Sequence, residues 1–152
     1  MRAPLSIVIP TLNASEALPA CLAALIEGLN AGILREVIIS DGGSNDATQR
    51  IAESAGAQVI TGPPGRGGQL RRGVEAAQGA WVLVLHADTN LAPGWSEVVA
   101  DRLAGSENQA FYGDLAFDRG GVPGAVVARW ANLRSRFFGL PYGDQGLSLI
   151  HI

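Results

Sequence analysis

Trp81-Val82-Leu83-Val84-Leu85 runs directly into His86-Ala87-Asp88, and the reading of this stretch decides the fold. An apolar run without polar alternation fits a strand covered on both faces, as in parallel α/β sheets, whose ligands gather outside the carboxyl ends of the strands. Asp88 then stands at that rim with something to bind. For a lone Asp after a strand, capping the next helix is the plainer use. A second case weighs against it. Val37-Ile38-Ile39-Ser40 is another short β-branched run, and it ends in Asp41-Gly42-Gly43-Ser44-Asn45-Asp46. The two glycines let backbone and ligand approach closely, and Ser44, Asn45 or Asp46 can cap the helix that follows. Asp41 lies several residues too early for that task. Two carboxylates at two strand exits can face one cleft if the strands are near one another.

Outward from these runs the chain alternates strand and helix. Leu5 to Pro10 reads as a first strand, and Ser15, with Glu16 behind it, opens a helix to about Leu29. Glu36 to Ser40 is the second strand, Asp46 to Ala55 the second helix, and Gln58 to Thr61 the third strand before the turn Gly62-Pro63-Pro64-Gly65. A third helix spans Gly68 to Ala77, the fourth strand Ala80 to Leu85, and Pro93 starts a helix to about Leu103. Ala110 to Asp118 reads as a further strand and Pro123 to Phe138 as a helix. This spacing implies βαβ units, a mostly parallel sheet flanked by helices, and one domain.

Composition narrows the function. At 152 residues, 47% apolar and 16% charged, the chain is globular and long enough for one core. A net charge of −3 gives no global attraction to nucleic acid. Cys21 is the only cysteine, so neither an internal disulfide nor a cysteine-based zinc site can form, and a reducing cytoplasm fits. No apolar stretch approaches the ~20 residues of a membrane-spanning helix. All 11 basic residues are arginine, which excludes Schiff-base chemistry and the lysine of an ATP-binding P-loop.

The loop Gly65-Arg66-Gly67-Gly68-Gln69-Leu70-Arg71-Arg72-Gly73 carries most of the remaining chemistry. Arginines and glycines at the entrance to a helix can hold a diphosphate, because free N–H groups, the positive dipole end and guanidinium forks all favour anions. The competing reading is a surface helix with solvated arginines, which suits Arg72 best. A dinucleotide fingerprint fits less well, since Thr11-Leu12-Asn13-Ala14-Ser15 lacks the glycines of a pyrophosphate-binding turn.

Ile9-Pro10-Thr11-Leu12-Asn13, Asp41-Gly42-Gly43-Ser44 with Asp46, Gly65-Arg66-Gly67 through Gly73, His86-Ala87-Asp88 and Gly143-Asp144-Gln145 resemble, in that order, the motifs of family 2 glycosyltransferases. Tyr142-Gly143-Asp144-Gln145-Gly146 and the His-Ala-Asp variant look most like a bacterial subgroup named for arsenosugar biosynthesis. The resemblance implies a GT-A fold, with a Rossmann-like nucleotide-binding half followed by an acceptor-binding part. It places Pro10 and Thr11 in the nucleotide pocket and Asp41 on the base, commonly uracil. Asn13, Gly42, Gly43, Arg66, Gly67, Arg71 and Ala87 complete the expected nucleotide-sugar contacts. Asp88 matches the last carboxylate of the metal-binding Asp-x-Asp motif, and Asp144 the catalytic base.

The implied activity is hexosyl transfer from a nucleoside-diphosphate sugar, with UDP the expected nucleotide, to the hydroxyl of a small or lipid-linked acceptor. The leaving diphosphate gains negative charge, which Mg²⁺ or Mn²⁺ offsets as a Lewis acid; Mg²⁺ takes only one or two carboxylates plus phosphates and water, so Asp88 is sufficient. On the opposite face of the sugar, Asp144 takes the acceptor proton, and a single displacement inverts the anomeric centre. His86 replaces the first Asp of the metal motif. It reads as a phosphate contact, a group behind the ligands or a core imidazole, with direct ligation ranked last. Ala14 stands where many relatives have an acidic residue near the ribose.

Arg129, Arg134 and Arg136 share an amphipathic helix with Trp130, Leu133, Phe137 and Phe138, whose aromatic rings fit a core better than a membrane-facing wedge. Residues 147–152 depart from the expected continuation. They read as truncation or foreign sequence, outside the domain of residues 1–146. Two further readings remain: a nucleotide-sugar binder without catalysis, including an inactive fragment, and a sugar nucleotidyltransferase, for which Thr11 to Ser15 lacks the glycine-rich turn.

Overall fold

The computed structural model describes residues 3–105, residue 129, and the backbone of residues 111–112 and 147–150. Strands β1 (Leu5–Thr11), β2 (Leu34–Asp41), β3 (Gln58–Thr61) and β4 (Trp81–Val84) alternate with helices α1 (Leu18–Asn30), α2 (Thr48–Ser54) and α3 (Arg66–Ala76). Helix α4 (Trp95–Gly105) follows, and β5 (Phe111–Tyr112) and β6 (Leu147–Ile150) complete a six-stranded sheet of order β3-β2-β1-β4-β6-β5. The pairs β1·β2, β1·β4 and β2·β3 are parallel, while β6 runs antiparallel to both β4 and β5.

The unbroken apolar runs are explained by two cores, one on each face. Leu5, Ile7 and Ile9 of β1 join Leu83 and Leu85 in a cluster with Leu18, Cys21 and Leu25 of α1 and Trp95 of α4. Val8, Ile38 and Val82 point the other way, toward Val74, Ala76 and Ala77 at the end of α3. Alternate side chains thus serve opposite faces, and each fully buried aliphatic group contributes about 1.5–3 kcal/mol.

Helix starts differ from the sequence expectation by two or three residues, each for a local reason. Helix α1 begins at Leu18 instead of Ser15, with Pro19 in its first turn, where a missing N–H costs nothing. Helix α4 begins at Trp95, past Pro93, because its first amides are taken by a carboxylate from α1. Glu27 accepts from the Gly94 and Ser96 N–H groups at 3.0 and 2.9 Å and from the Ser96 hydroxyl at 2.7 Å. Hydrogen bonds from the Ser96 side chain, the Ser96 amide and the Gly94 amide hold the Glu27 carboxyl below its ordinary pKa. Helix α3 begins at Arg66, two residues early, after Gly65 turns the chain at φ 136°.

Residues 147–152, set apart from the fold on sequence grounds, contribute Leu147–Ile150 as the strand that covers the free side of β4. Main-chain pairing asks only for extended backbone, so an unexpected sequence can still fill an open sheet edge. Of the expected strand at 110–118 only Phe111–Tyr112 is described, and of the expected helix at 123–138 only the exposed, helical Arg129; the rest lie outside the described residues. No helix among the described residues is long and apolar enough to cross a membrane.

Helix α3 lies close on the sheet because its inner face is small. A Cβ on Gly73 would stand 2.3 Å from Val8 Cγ1. Gly73→Ala should therefore push α3 off β1 and lower stability by about 1–3 kcal/mol, read as a fall in the urea midpoint. An unchanged midpoint would show that the helix can shift without loss.

Candidate active site at the strand exits

The parallel strands β1, β2 and β4 open their carboxyl ends on one edge of the sheet. The chain steps from β1 outward to β2 and β3 and then returns to add β4 on the other side of β1, so the strand order reverses there. Crevices of open α/β sheets form at such a reversal. Thr11 is the register partner of Asp41, and the Leu85 N–H donates to the Val8 carbonyl at 3.0 Å, leading β4 on toward His86. Asp41 and Asp88 thus leave the same edge from the two strands flanking β1, which stand about 10 Å apart.

Asp41 is fully buried. Its Oδ1 accepts from the Gly43 and Ser44 amides at 2.9 and 2.7 Å and from Gln49 Nε2 at 2.8 Å. Its Oδ2 accepts from the Thr11 and Ser44 hydroxyls at 2.8 and 2.6 Å. Asp41 therefore does serve its own loop, ahead of the helix, as the sequence reading had not expected. Gly43 makes this geometry with φ 91°, a backbone region that favours glycine. Burial pushes the Asp41 carboxyl up, but hydrogen bonds from Ser44, Thr11 and Gln49 outweigh it and hold its pKa below the ordinary value of 3.8.

The β1–α1 and β2–α2 loops are tied to each other. The Asn13 amide donates to Ser44 Oγ at 2.8 Å, while Asn13 Oδ1 accepts from the Asn45 amide at 2.9 Å. The Ala14 amide donates to Thr48 Oγ1 at 2.8 Å and the Ser15 amide to Asp46 Oδ2 at 3.1 Å. Asp46 also accepts from the Thr48 hydroxyl and amide, and these bonds, with those from Ser15, hold its carboxyl well below the usual carboxylate range. Asp46, one of the three candidates for capping α2, thus takes the helix's first amide from one residue ahead of the cap position, which Ala47 holds.

Helix α3 is fastened to the same edge by Gln69, a residue to which sequence reasoning gave no role. Its buried amide donates to the Thr11 and Ser40 carbonyls at 2.7 and 3.0 Å, and its oxygen accepts from the Gly65 amide at 3.1 Å. The available signal was spacing: Gly65, Gln69 and Gly73 recur every four residues, which sets them in one row along the helix. Arg66, at the first position of α3, reaches the imidazole Nε2 of His86. Arg72 folds back to the Pro63 carbonyl at 3.0 Å and packs over Gly62, pinning the turn before the helix. Arg71 points outward and sits 3.9 Å from Glu75, both largely exposed.

At the exit of β4, Ala87 is buried, His86 half-buried and Asp88 exposed. The His86 carbonyl accepts from the Cys21 thiol at 3.5 Å and from the Thr89 amide at 3.0 Å. Burial first, and the nearby Asp88 charge second, push the Cys21 thiol up to about 12, so it stays protonated and is no nucleophile.

Of the residues singled out from sequence, Pro10, Thr11, Asn13, Asp41, Gly42, Gly43, Arg66, Gly67, His86, Ala87 and Asp88 belong to segments that converge on this edge. Arg71 stands apart, on the outer side of α3. Asp144 lies outside the described residues. Among the described residues no three His, Cys, Asp or Glu side chains group as a metal site. Asp88 offers an exposed hard oxygen donor at the exit of β4, which suits a cation whose other ligands are diphosphate oxygens and water.

The match to known proteins agrees with this geometry. The model of the family "Glycosyl transferase family 2" covers residues 6–147. The chain belongs to that family. It is similar to an uncharacterized glycosyltransferase of Mycobacterium bovis, 39% identical over 90 residues that make up 59% of this chain and 38% of the relative. It is also similar to a PGL/p-HBAD biosynthesis glycosyltransferase of the same species, 38% identical over 99 residues, 60% of this chain and 38% of that one. Among solved structures, glucosyl-3-phosphoglycerate synthase from Mycobacterium tuberculosis, in complex with Mn²⁺, UDP and glucosyl-3-phosphoglycerate, superposes with a TM-score of 0.69 at 26% identity. That match covers 97% of this chain and 57% of the synthase. The expected GT-A fold is thereby established, while the chain matches only 38% of the length of the curated relatives.

A carboxyl with a lower pKa in the folded than in the unfolded state contributes stability that is complete above the unfolded value and lost as pH falls through the folded one. The urea midpoint should therefore fall as pH drops below about 4. Asp41→Asn should already be less stable at pH 7, by about 1–3 kcal/mol, because its amide turns an NH₂ toward N–H and O–H donors. It should also lose less on acidification than the wild type. Equal acid slopes in the two proteins would remove Asp41 from that part of the pH dependence.

Proposed function

We propose that the protein is an inverting glycosyltransferase that moves a sugar from a nucleoside-diphosphate donor, with UDP the expected nucleotide, to an acceptor hydroxyl. The observation that carries this reading is that the segments bearing Asp88, Arg66 and the Asp41-organised loop leave the sheet at the edge where the strand order reverses. In it, the edge built from Pro10, Thr11, Asn13, Gly42 and Gly43 receives the nucleoside, and Asp41 shapes that edge. Arg66 and the amides around Gly67, at the head of α3, face the diphosphate. Arg71, turned to solvent, is left out.

Asp88 would hold a divalent cation, Mg²⁺ or Mn²⁺, which supplies Lewis-acid compensation for the charge of the departing diphosphate. That the similar synthase was solved with Mn²⁺ and UDP supports this assignment. Asp144, in the Gly143-Asp144-Gln145 motif, takes the proton from the acceptor hydroxyl as it attacks from the face opposite the diphosphate, a role worth typically ~10²–10⁴ in rate. Inversion follows from the single displacement. The His86-Ala87-Asp88 and Tyr142-Gly143-Asp144-Gln145-Gly146 motifs support a finer placement, in the bacterial subgroup named for arsenosugar biosynthesis.

UDP with Mn²⁺ should raise the melting temperature, and Asp88→Ala should remove the part that depends on the metal. No shift with any nucleoside diphosphate would count heavily against the reading. Asp144→Asn should leave UDP affinity nearly intact while turnover of a UDP-sugar falls by ~10²–10⁴, measured by UDP release. Donor binding without transfer or hydrolysis, across a panel of acceptors, would favour a non-catalytic binder instead.

A further inference from the structure

The contact between His86 and Arg66 joins the exit of β4 to the first residue of α3. A guanidinium has donors and no acceptor, so the imidazole Nε2 must accept, and the ring proton sits on Nδ1. The lone pair that would bind a cation at Nε2 is then engaged, and a fixed positive charge stands beside it. His86 itself is held from below, its carbonyl bonded to the Cys21 thiol at 3.5 Å and the Thr89 amide at 3.0 Å. A carboxylate at this position would orient Arg66 but cancel its charge. An imidazole that accepts at Nε2 orients the guanidinium without placing a negative charge of its own beside it.

We propose that His86 is a positioning residue that aims Arg66 at the donor's diphosphate, giving the protein a metal-independent share of nucleotide binding. The proposal rests on the glycosyltransferase reading and deepens it: the site grips the anion with one oriented arginine as well as through Asp88. His86 acts on the anion through Arg66 and is not itself a metal ligand.

The test is UDP titration by calorimetry, in EDTA and in Mn²⁺, on the wild type, Arg66→Ala, His86→Leu, His86→Gln and the Arg66→Ala/His86→Leu pair. In EDTA the wild type should bind UDP, and each of the first two variants should weaken it roughly tenfold, as for a charge-assisted hydrogen bond. The pair should be little worse than either alone, since both remove one unit. His86→Gln, whose amide oxygen can accept from the guanidinium, should recover most of the affinity. Mn²⁺ affinity in the absence of nucleotide, followed by electron paramagnetic resonance, should not change in His86→Leu. Nitrogen NMR of the wild type should report an unprotonated Nε2, a readout that does not depend on any variant folding.

Additive losses in the paired variant, a protonated Nε2, or weaker Mn²⁺ binding with intact metal-free UDP binding would each overturn the proposal. UDP binding that requires Mn²⁺ throughout would also overturn it while leaving the glycosyltransferase reading in place. A wild type that binds UDP in neither condition would bring down both.

Discussion

Five donors from three stretches of chain converge on the buried carboxylate of Asp41: Thr11 at the end of β1, the Gly43 and Ser44 turn, and Gln49 in α2. A buried carboxylate is costly unless its lone pairs are filled, and here they are. The result is a rigid margin to the binding edge. Asn13, Ala14 and Ser15 then dock onto Ser44, Asn45, Thr48 and Asp46, so the loops after β1 and β2 behave as one piece. A site that must hold a flexible nucleotide in one pose needs such a preformed wall.

The other wall is set by what α3 lacks. With glycine at 73 and an amide at 69, the helix settles directly on β1 and β2, and its first residue is carried to the exit of β4. Bulk on that face would lift the helix and withdraw Arg66 from the edge. Packing economy in the helix therefore fixes the electrostatics of the site. On the opposite face, Glu27 ties α1 to the head of α4, so the segment after Asp88 also has a defined direction.

Much of this was legible because the signals are local. Continuous β-branched and aromatic runs placed β1 to β4 to within a residue or two, and Gly-Pro punctuation separated them, as at Gly62-Pro63-Pro64-Gly65. Helix starts were less legible where the amides are satisfied from far away, as Glu27 does for α4, or by a side chain inside the helix, as Gln69 does for Gly65. The carboxylates at the strand exits were found by position, but their surroundings were not. Asp41 was read as facing a ligand, and no pattern along the chain shows that Thr11, distant in sequence, donates to it. Arg66 and Arg71 look alike in sequence. Only the helix phase set by Gln69 and Gly73 distinguishes the one that reaches His86 from the one that pairs with Glu75.

The lone thiol of the sequence lies wholly inside, beneath the backbone of His86, with its proton held tightly. Alkylating and spin-labelling reagents attack thiolates, so under mild conditions they should leave Cys21 untouched. A reporter cysteine introduced on an exposed surface could then be tagged without first stripping the native one, which would make distances across the binding edge directly measurable.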